Sequence, residues 1–186
     1  EKEEIEEVQL IFFFFFDGIQ FFLTKHFYCD ENGQSWWPGW GPSSVTKGLG
    51  GSEEAVIYTA RALARSGRSG TRNCKDERCP RFVVDVYNDA PARDWGTDSQ
   101  EKYLSWFPLW AFKSSDAKSS DIFIAWRYPV SLAMADNPRR FIWLHDLLDT
   151  RSLPAKLVAA SEAIFVQSIF HKNSLPPYAR EKVVVA

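Results

Sequence analysis

The chain has few cysteines, little net charge of either sign and no glycosylation sequon. Its three cysteines, Cys29, Cys74 and Cys79, form no C-x-x-C pair, so we interpret them as free thiols rather than as a zinc site or a disulfide framework. The net charge of −2 argues against nucleic acid or an anionic membrane as the main partner. Free thiols and the missing N-x-Ser/Thr sequon favour a cytoplasmic or cytosol-facing protein.

A long hydrophobic run is also missing. The apolar run Leu10–Phe16 is shorter than the ~20 residues of a membrane span, and Asp17-Gly18 separates it from the next apolar stretch. The start of the chain is acidic, whereas a signal peptide begins with basic residues. We therefore expect Val8–Phe16 to form a buried first strand, and we expect no transmembrane segment here.

Several cofactor and catalytic motifs are incomplete. The dinucleotide fingerprint G-x-G-x-x-G needs a third glycine where Glu53 stands, so an NAD site is poorly supported. The phosphate-loop pattern that starts at Gly41 is broken at Thr46 and Gly48. The sequence contains no D-x-D triplet and no G-x-S-x-G elbow, so neither a metal-bridged diphosphate site of that kind nor hydrolase chemistry is indicated.

The most informative stretch that is present is glycine-rich and runs directly into a helix. It reads Gly48-Leu49-Gly50-Gly51-Ser52-Glu53-Glu54, and the following residues repeat apolar side chains at helical spacing as far as Ala64. Ser52 is expected to cap the helix, whose free N–H groups and dipole favour an anion. Gly50 and Gly51 would let a phosphate approach the main chain. The two glutamates repel phosphate, so a turn that serves packing alone is the alternative.

Apolar runs without polar alternation are spaced by helical segments over the rest of the chain. Such strands predict a parallel sheet covered on both faces, hence a Rossmann-like, doubly wound α/β domain. Helices are expected over Leu153–Ala160 and Ile169–Leu175, a short one over Ser131–Asp136, and the aromatic segment Tyr103–Phe112 is of open type. The expected strands are Phe82–Tyr87, Asp121–Trp126, Phe141–Leu144, Ala163–Val166 and Val183–Val185.

Polar residues follow three of these strands and should meet at one edge of the sheet, where ligands of such folds bind. They are Trp126-Arg127, His145-Asp146 and Gln167-Ser168. Asp146 could orient His145 towards a substrate, or the imidazole could be neutral and bonded to a carbonyl. Arg127 either faces a ligand or balances an acidic rim, and His171 is expected to be structural.

Three tryptophans lie in a loop-rich insertion, residues 26–47, ahead of the glycine stretch. Trp36, Trp37 and Trp40 are interrupted by proline and glycine, which break any regular element. They could stack on the apolar face of a sugar. The favoured interpretation is that they hold an irregular loop on the domain, because large aromatic side chains bury much area.

The ordered set of these segments resembles a known family. GLGGSE opening the helix, DIFIAWRYP (121–129), FIWLHD (141–146) and FVQSIFHK (165–172) are similar to the N-terminal domain of GT-B glycosyltransferases of family 4, also called glycosyl transferase group 1. The resemblance runs from about Trp36 to the end. It implies the N-terminal half of a GT-B fold over residues 8–186, after an acidic, frayed start at 1–7. The C-terminal nucleotide-sugar-binding domain is expected to be absent, since the chain looks like a piece of a longer protein.

The resemblance also implies a function and site residues. Family members move a sugar from a nucleotide-sugar donor to an acceptor with retention of anomeric configuration, without a bound metal or other cofactor. Gly50 and Gly51 would bind the donor diphosphate, and His145 would lie at the reacting centre as the catalytic residue. Trp126 and Arg127 are candidates for binding a carbohydrate or other hydroxyl acceptor. These 186 residues alone are expected to be inactive, because in this family the second domain supplies most of the contacts to the nucleotide.

Two other functions are compatible with the residues. One is a nicotinamide- or nucleotide-sugar-binding oxidoreductase or epimerase on a similar sheet, which should bind NADH. The other is a non-catalytic carbohydrate- or protein-binding module that uses the tryptophan loop. That module should bind sugar without a nucleotide and tolerate His145→Ala.

Overall fold

The computed structural model describes six ranges of the 186 residues: 19–23, 39–66, 83–88, 90–112, 122–134 and 139–186. The expected strand Val8–Phe16, the three cysteines, and Trp36 and Trp37 of the insertion lie outside these ranges. Within them, no helix is both long enough and apolar enough to cross a bilayer.

The described residues form strands, α-helices and short 3-10 helices. The strands are β1 (Ile19–Leu23), β2 (Val84–Asn88), β3 (Gly96–Thr97), β4 (Leu104–Pro108), β5 (Ile122–Trp126), β6 (Arg139–Trp143), β7 (Ala163–Val166) and β8 (Val183–Val185). The α-helices are α1 (Gly51–Ser66), α2 (Ala155–Ala160), α3 (Ile169–Ser174) and α4 (Pro177–Arg180). The 3-10 helices are Pro42–Lys47, Ala92–Asp94, Leu109–Ala111 and Pro129–Met134.

These strands form one eight-stranded sheet in the order β3-β4-β2-β1-β5-β6-β7-β8. Every neighbouring pair is parallel except β3 with β4, which is antiparallel. The expected α/β class with a parallel sheet is confirmed, and the order is compatible with a Rossmann-like fold. The antiparallel edge strand β3 was not foreseen, because two residues carry no periodic pattern.

Both faces of the sheet are covered, as the continuous apolar strands predict. Along β5, Phe123 and Ala125 belong to one buried cluster, whereas Ile122 and Trp126 belong to the other. Helix α1 covers the Trp126 side with Val56, Ile57, Ala60 and Ala64. Helices α2 and α4 cover the opposite side with Leu157, Val158 and Ala179.

Several local predictions differ from the structure in detail. The open segment Tyr103–Phe112 contains strand β4, whose side chains alternate between buried and half-buried. The helix expected over Ser131–Asp136 is a 3-10 helix that begins at Pro129. The prediction that Ser52 caps α1 is wrong. The helix begins at Gly51, so Ser52 lies inside the first turn, where its hydroxyl donates to the Glu53 carboxylate.

The candidate site lies at the point where the strand order of the sheet reverses. Strand β1 pairs with β2 on one side and β5 on the other, so the chain winds outwards both ways from β1. Because the central strands are parallel, the residues that follow β5, β6 and β7 share one edge of the sheet. In such sheets ligands bind at this carboxyl edge, beside the point where the strand order reverses.

Candidate functional site

The glycine turn before α1 presents two different environments. A Cβ added at Gly50 would lie 2.5 Å from Oε2 of Glu53, whereas a Cβ added at Gly51 would meet no described heavy atom within 4 Å. Gly48 has a φ of 79°, the left-handed region that favours glycine. The turn is therefore open at Gly51 and filled at Gly50 by a side chain of its own helix.

That side chain, Glu53, is the unexpected member of the site. Only 2% of the residue is exposed, although it carries a carboxylate. Ser52 Oγ donates to Oε2 at 2.7 Å, and Arg127 Nη1 donates to Oε1 at 3.0 Å. The carboxylate is thus balanced by a guanidinium, which reduces the repulsion that it would exert on an anion at the helix N-terminus.

Arg127 joins three elements at the carboxyl edge. Its Nη1 reaches α1 at Glu53, while Nε and Nη2 donate to Asp146 at 2.5 and 2.9 Å in a bidentate pair. Its guanidinium lies 5.2 Å from the ring centre of Trp126, a cation–π distance. Its main-chain N–H donates to Trp143 O at 2.8 Å.

The backbone of Arg127 is also unusual. Its φ of 60° is left-handed, and it is the single non-glycine residue in the described ranges with a positive φ. Such a conformation costs about 1–3 kcal/mol and persists where the surroundings fix it. Here the contacts of the side chain and the main-chain N–H supply that fixation. Strain of this kind concentrates at functional sites, which supports the assignment of this rim.

His145 lies between two tryptophans just beyond β6. Its ring centre is 5.8 Å from that of Trp126 and 4.9 Å from that of Trp143. Gln167 Nε2 lies 2.5 Å from His145 Nδ1. Nε2 of His145 is buried and meets no hydrogen-bond partner among the residues that the structure describes. The Asp146 carboxylate, considered above as the group that orients the imidazole, is bound to Arg127 instead.

The surroundings of His145 favour the neutral imidazole. Burial is the largest cause that lowers its pKa below the ordinary 6.5, and the positive charge of Arg127 adds to it. Asp146 and Glu53 raise the pKa by smaller amounts, and His171 lowers it slightly. A neutral imidazole can donate one hydrogen bond and accept one, but it does not contribute a fixed positive charge.

Trp126, a candidate for acceptor binding, lies below the rim rather than on it. The residue is 3% exposed and packs edge-on against Trp40, with ring centres 5.7 Å apart. Its Nε1 has no hydrogen-bond partner in the described ranges. Trp40 itself is buried and also packs against Trp106. For Trp40, the interpretation that the loop tryptophans hold the insertion on the domain is confirmed.

His171 has the structural contacts that were expected for it. It is 4% exposed, and its Nε2 lies 2.9 Å from the carbonyl oxygen of Asp146. The main-chain N–H of His171 donates to Ser168 Oγ, which caps α3. His171 thus ties the start of α3 to the loop after β6. Across the described ranges, no group of three His, Cys, Asp or Glu side chains is arranged to hold a metal ion.

The sequence pattern predicts that Arg127, His145, Asp146 and Gln167 lie at one edge of the sheet. It did not lead us to the role of Glu53. A signal for it was present in the helical pattern. Glu53 precedes Val56 and Ile57 by three and four residues, so it shares the apolar face of α1 and was bound to be buried. A buried carboxylate requires a partner, and Arg127 is that partner.

The sequence was compared with models of protein families and with curated proteins. It matches no family model and no curated protein.

Proposed function

We propose that this chain is the N-terminal half of a GT-B glycosyltransferase, which moves a sugar from a nucleotide-sugar donor to a hydroxyl acceptor with retention. The observation that carries the proposal is the meeting of the α1 N-terminus, Arg127 and His145 at the carboxyl edge beside β1. An anion site and a neutral imidazole are thereby adjacent. Transfer from a sugar diphosphate requires both a stabilised leaving anion and a positioned sugar.

The diphosphate would bind at the open side of the glycine turn. Gly51 offers a main-chain N–H at the first position of a 16-residue helix, with no described atom where a side chain would project. A well-placed donor of this kind stabilises a developing negative charge by about 3 kcal/mol. Glu53 takes the space beside Gly50, so the contact falls mainly to Gly51. The negative charge of Glu53 is already balanced by Arg127 before the ligand binds.

Arg127 and Trp126 would serve the acceptor side. The Arg127 side chain is 31% exposed, and its partner Asp146 is 47% exposed, so the guanidinium can exchange this carboxylate for a polar group of a substrate. Trp126 is buried and contributes by supporting the guanidinium on its ring. This division leaves His145 to hold the donor sugar through a hydrogen bond.

The reaction then balances without a protein nucleophile. The bond between the anomeric carbon and the diphosphate oxygen breaks, and its electron pair leaves with the phosphate. The acceptor oxygen bonds to the same face of the anomeric carbon, and its proton passes to the leaving phosphate. No metal or further cofactor takes part in the proposed reaction.

We place the protein on the cytosolic side of the membrane system, because its cysteines are interpreted as free thiols and its sequence has no N-x-Ser/Thr sequon.

Gly51→Val in the full-length protein tests the anion site. Because a Cβ at position 51 meets no described atom, the fold should tolerate it, while the added bulk blocks a phosphate. We expect turnover to fall by about 100-fold, the scale of one lost oxyanion contact. Ala62→Val is the matched control, since it adds valine to an exposed position of the same helix. Equal turnover in the two variants would remove the glycine turn from the mechanism.

Ligand titrations of the chain itself separate the proposal from its rivals. Nucleotide sugars should shift the amide NMR signals of Gly51 and Arg127 at millimolar concentration. Tight NADH binding, seen as enhanced fluorescence, would favour an oxidoreductase instead. Binding of free sugar that persists in His145→Ala would favour a non-catalytic module.

A further inference from the structure

The His145 ring is in contact with a residue that lies just beyond the neighbouring strand. Gln167 follows β7 directly, and its amide Nε2 lies 2.5 Å from His145 Nδ1. Strands β6 and β7 are parallel partners, with Trp143 opposite Phe165, so each residue stands two positions beyond a paired position. The sheet register itself therefore brings this amide to this imidazole.

The direction of that hydrogen bond determines where the imidazole carries its proton. In this orientation the Gln167 amide turns its N–H towards the ring, and because an N–H can only donate, Nδ1 accepts and is unprotonated. Burial and Arg127 hold the pKa of His145 below 6.5 against the smaller opposite effects of Asp146 and Glu53, with His171 also lowering it. Above pH 6.5 the imidazole is therefore neutral, and its single proton lies on Nε2.

With the proton on Nε2, the two buried atoms of the site that lack a described partner are both hydrogen-bond donors. His145 Nε2 and Trp126 Nε1 belong to neighbouring rings, and both lack a partner among the described residues. A buried donor left unpaired costs about 1–3 kcal/mol, which a ligand oxygen recovers when it accepts the bond. Because both atoms are buried, a ligand oxygen reaches either of them only when the side chains that cover it move.

We propose that Gln167 is a positioning residue that holds His145 as the Nε2–H tautomer, so that the imidazole donates to a ligand oxygen and does not accept a proton. The tautomer is inferred from the orientation of the Gln167 amide, with its nitrogen towards Nδ1, and does not depend on the proposed function. The identity of the oxygen, a hydroxyl of the donor sugar, rests on the proposed function. The sequence motif identified His145 but gave no role to Gln167.

Two-bond ¹H–¹⁵N NMR spectra of ¹⁵N-histidine-labelled protein, recorded well above pH 6.5, report the tautomer of each imidazole directly. The chain has three histidines, and the His145 signals are identified by their loss in His145→Asn. We expect the Nε2–H pattern for His145 in the wild type. An Nδ1–H pattern would mean that the amide presents its oxygen, and it would overturn the proposal.

Two substitutions at position 167 show whether Gln167 imposes that state. In Gln167→Glu the carboxylate accepts from Nδ1–H, so the tautomer should reverse and the pKa of His145 should rise. In Gln167→Met, which has similar length but no donor, both tautomers should appear. Gln100→Glu adds the same charge to an exposed position near the β3 edge and should leave the spectrum unchanged. An unchanged His145 spectrum in both position-167 variants would contradict the proposal.

Kinetics of the full-length protein separate this inference from the proposed function. If His145 donates to the donor sugar, Gln167→Glu should lower kcat/KM for that donor at least 10-fold, and Gln167→Met less. The expected tautomers together with no transfer from any nucleotide sugar would overturn the function and leave the positioning role intact. Transfer that is unaffected by a reversed tautomer would overturn the hydrogen bond to the sugar.

Discussion

Two of the guanidinium–carboxylate groups in which helix α1 takes part differ in exposure. Arg61 of α1 pairs with Asp98, and the two side chains are 6% and 0% exposed. Glu53, at the start of the same helix, pairs with Arg127, which is 31% exposed and also holds the 47% exposed Asp146. The chemistry is the same in both groups. Their surroundings give them different roles.

The Arg61–Asp98 group is closed. Asp98 accepts from Arg61 Nε and Nη2, from Trp106 Nε1 at 3.1 Å and from the main-chain N–H of Gln100 at 2.8 Å. These donors saturate the carboxylate and leave no room for a ligand. The group fastens α1 to the β3–β4 edge and is structural.

The Arg127 group is open on one side. Glu53 is buried and fixed, but Asp146 and part of the guanidinium face solvent, and the backbone of Arg127 is held at a positive φ. An exposed pair exchanges partners at small cost, whereas a buried pair does not. The comparison teaches that exposure and backbone strain, rather than the presence of an ion pair, distinguish a candidate site from a structural contact.

Asp98→Ala should give the largest effect. It leaves the Arg61 guanidinium buried without its carboxylate, and we expect a loss of about 3–5 kcal/mol in the free energy of unfolding, measured with urea. Glu162→Ala is the control, because it removes the partner of Arg139 from a more exposed pair and should cost no more than about 1 kcal/mol. Equal losses in the two variants would contradict the structural role.

Glu53→Ala should cost less, although Glu53 is nearly as buried. Arg127 keeps its bidentate pair with Asp146 and its access to water, so we expect about 1–3 kcal/mol in the same urea measurement. Asp146→Ala should cost less still, because that carboxylate is half exposed. A loss for Glu53→Ala that matches Asp98→Ala would mean that the rim is as closed as the Arg61 group.

Gly50→Ala and Gly51→Ala form a matched pair one residue apart. The first places a methyl group 2.5 Å from Oε2 of Glu53 and should push the carboxylate away from its place, at a cost of about 1 kcal/mol. The second meets no described atom and should leave the thermal unfolding midpoint unchanged or slightly raised. Equal midpoints for both variants would show that Glu53 yields freely at the turn.

The smallest expected effect is the pH dependence of His145. Because its folded pKa lies below 6.5, its contribution to stability is present above about pH 6.5 and is lost as the pH falls through the folded value. Arg127→Met removes the positive charge that lowers the pKa, so the NMR titration midpoint of His145 should rise. A midpoint that falls or stays would show that Arg127 does not act on the imidazole.

Much of the fold could be predicted from local pattern. The strands β2 and β5 to β8, helix α1 and the meeting of Arg127, His145 and Gln167 at one edge all follow from apolar periodicity and parallel pairing. Strand β3 and the burial of Arg61 did not follow. A strand of two residues is too short to show a periodic pattern. A charged side chain such as that of Arg61 is predicted to be exposed until its partner is known.

The sequence by itself determined most of the strands and helices and the edge at which polar residues gather, because periodicity is a local property of the chain and parallel strands end at the same edge. Only the tertiary structure decided which polar groups pair: Glu53 with Arg127, Asp98 with Arg61, and Gln167 with His145. These partners are distant in sequence and are joined by sheet order and register. Hydrogen bonds act over about 3 Å, a distance that no sequence pattern specifies.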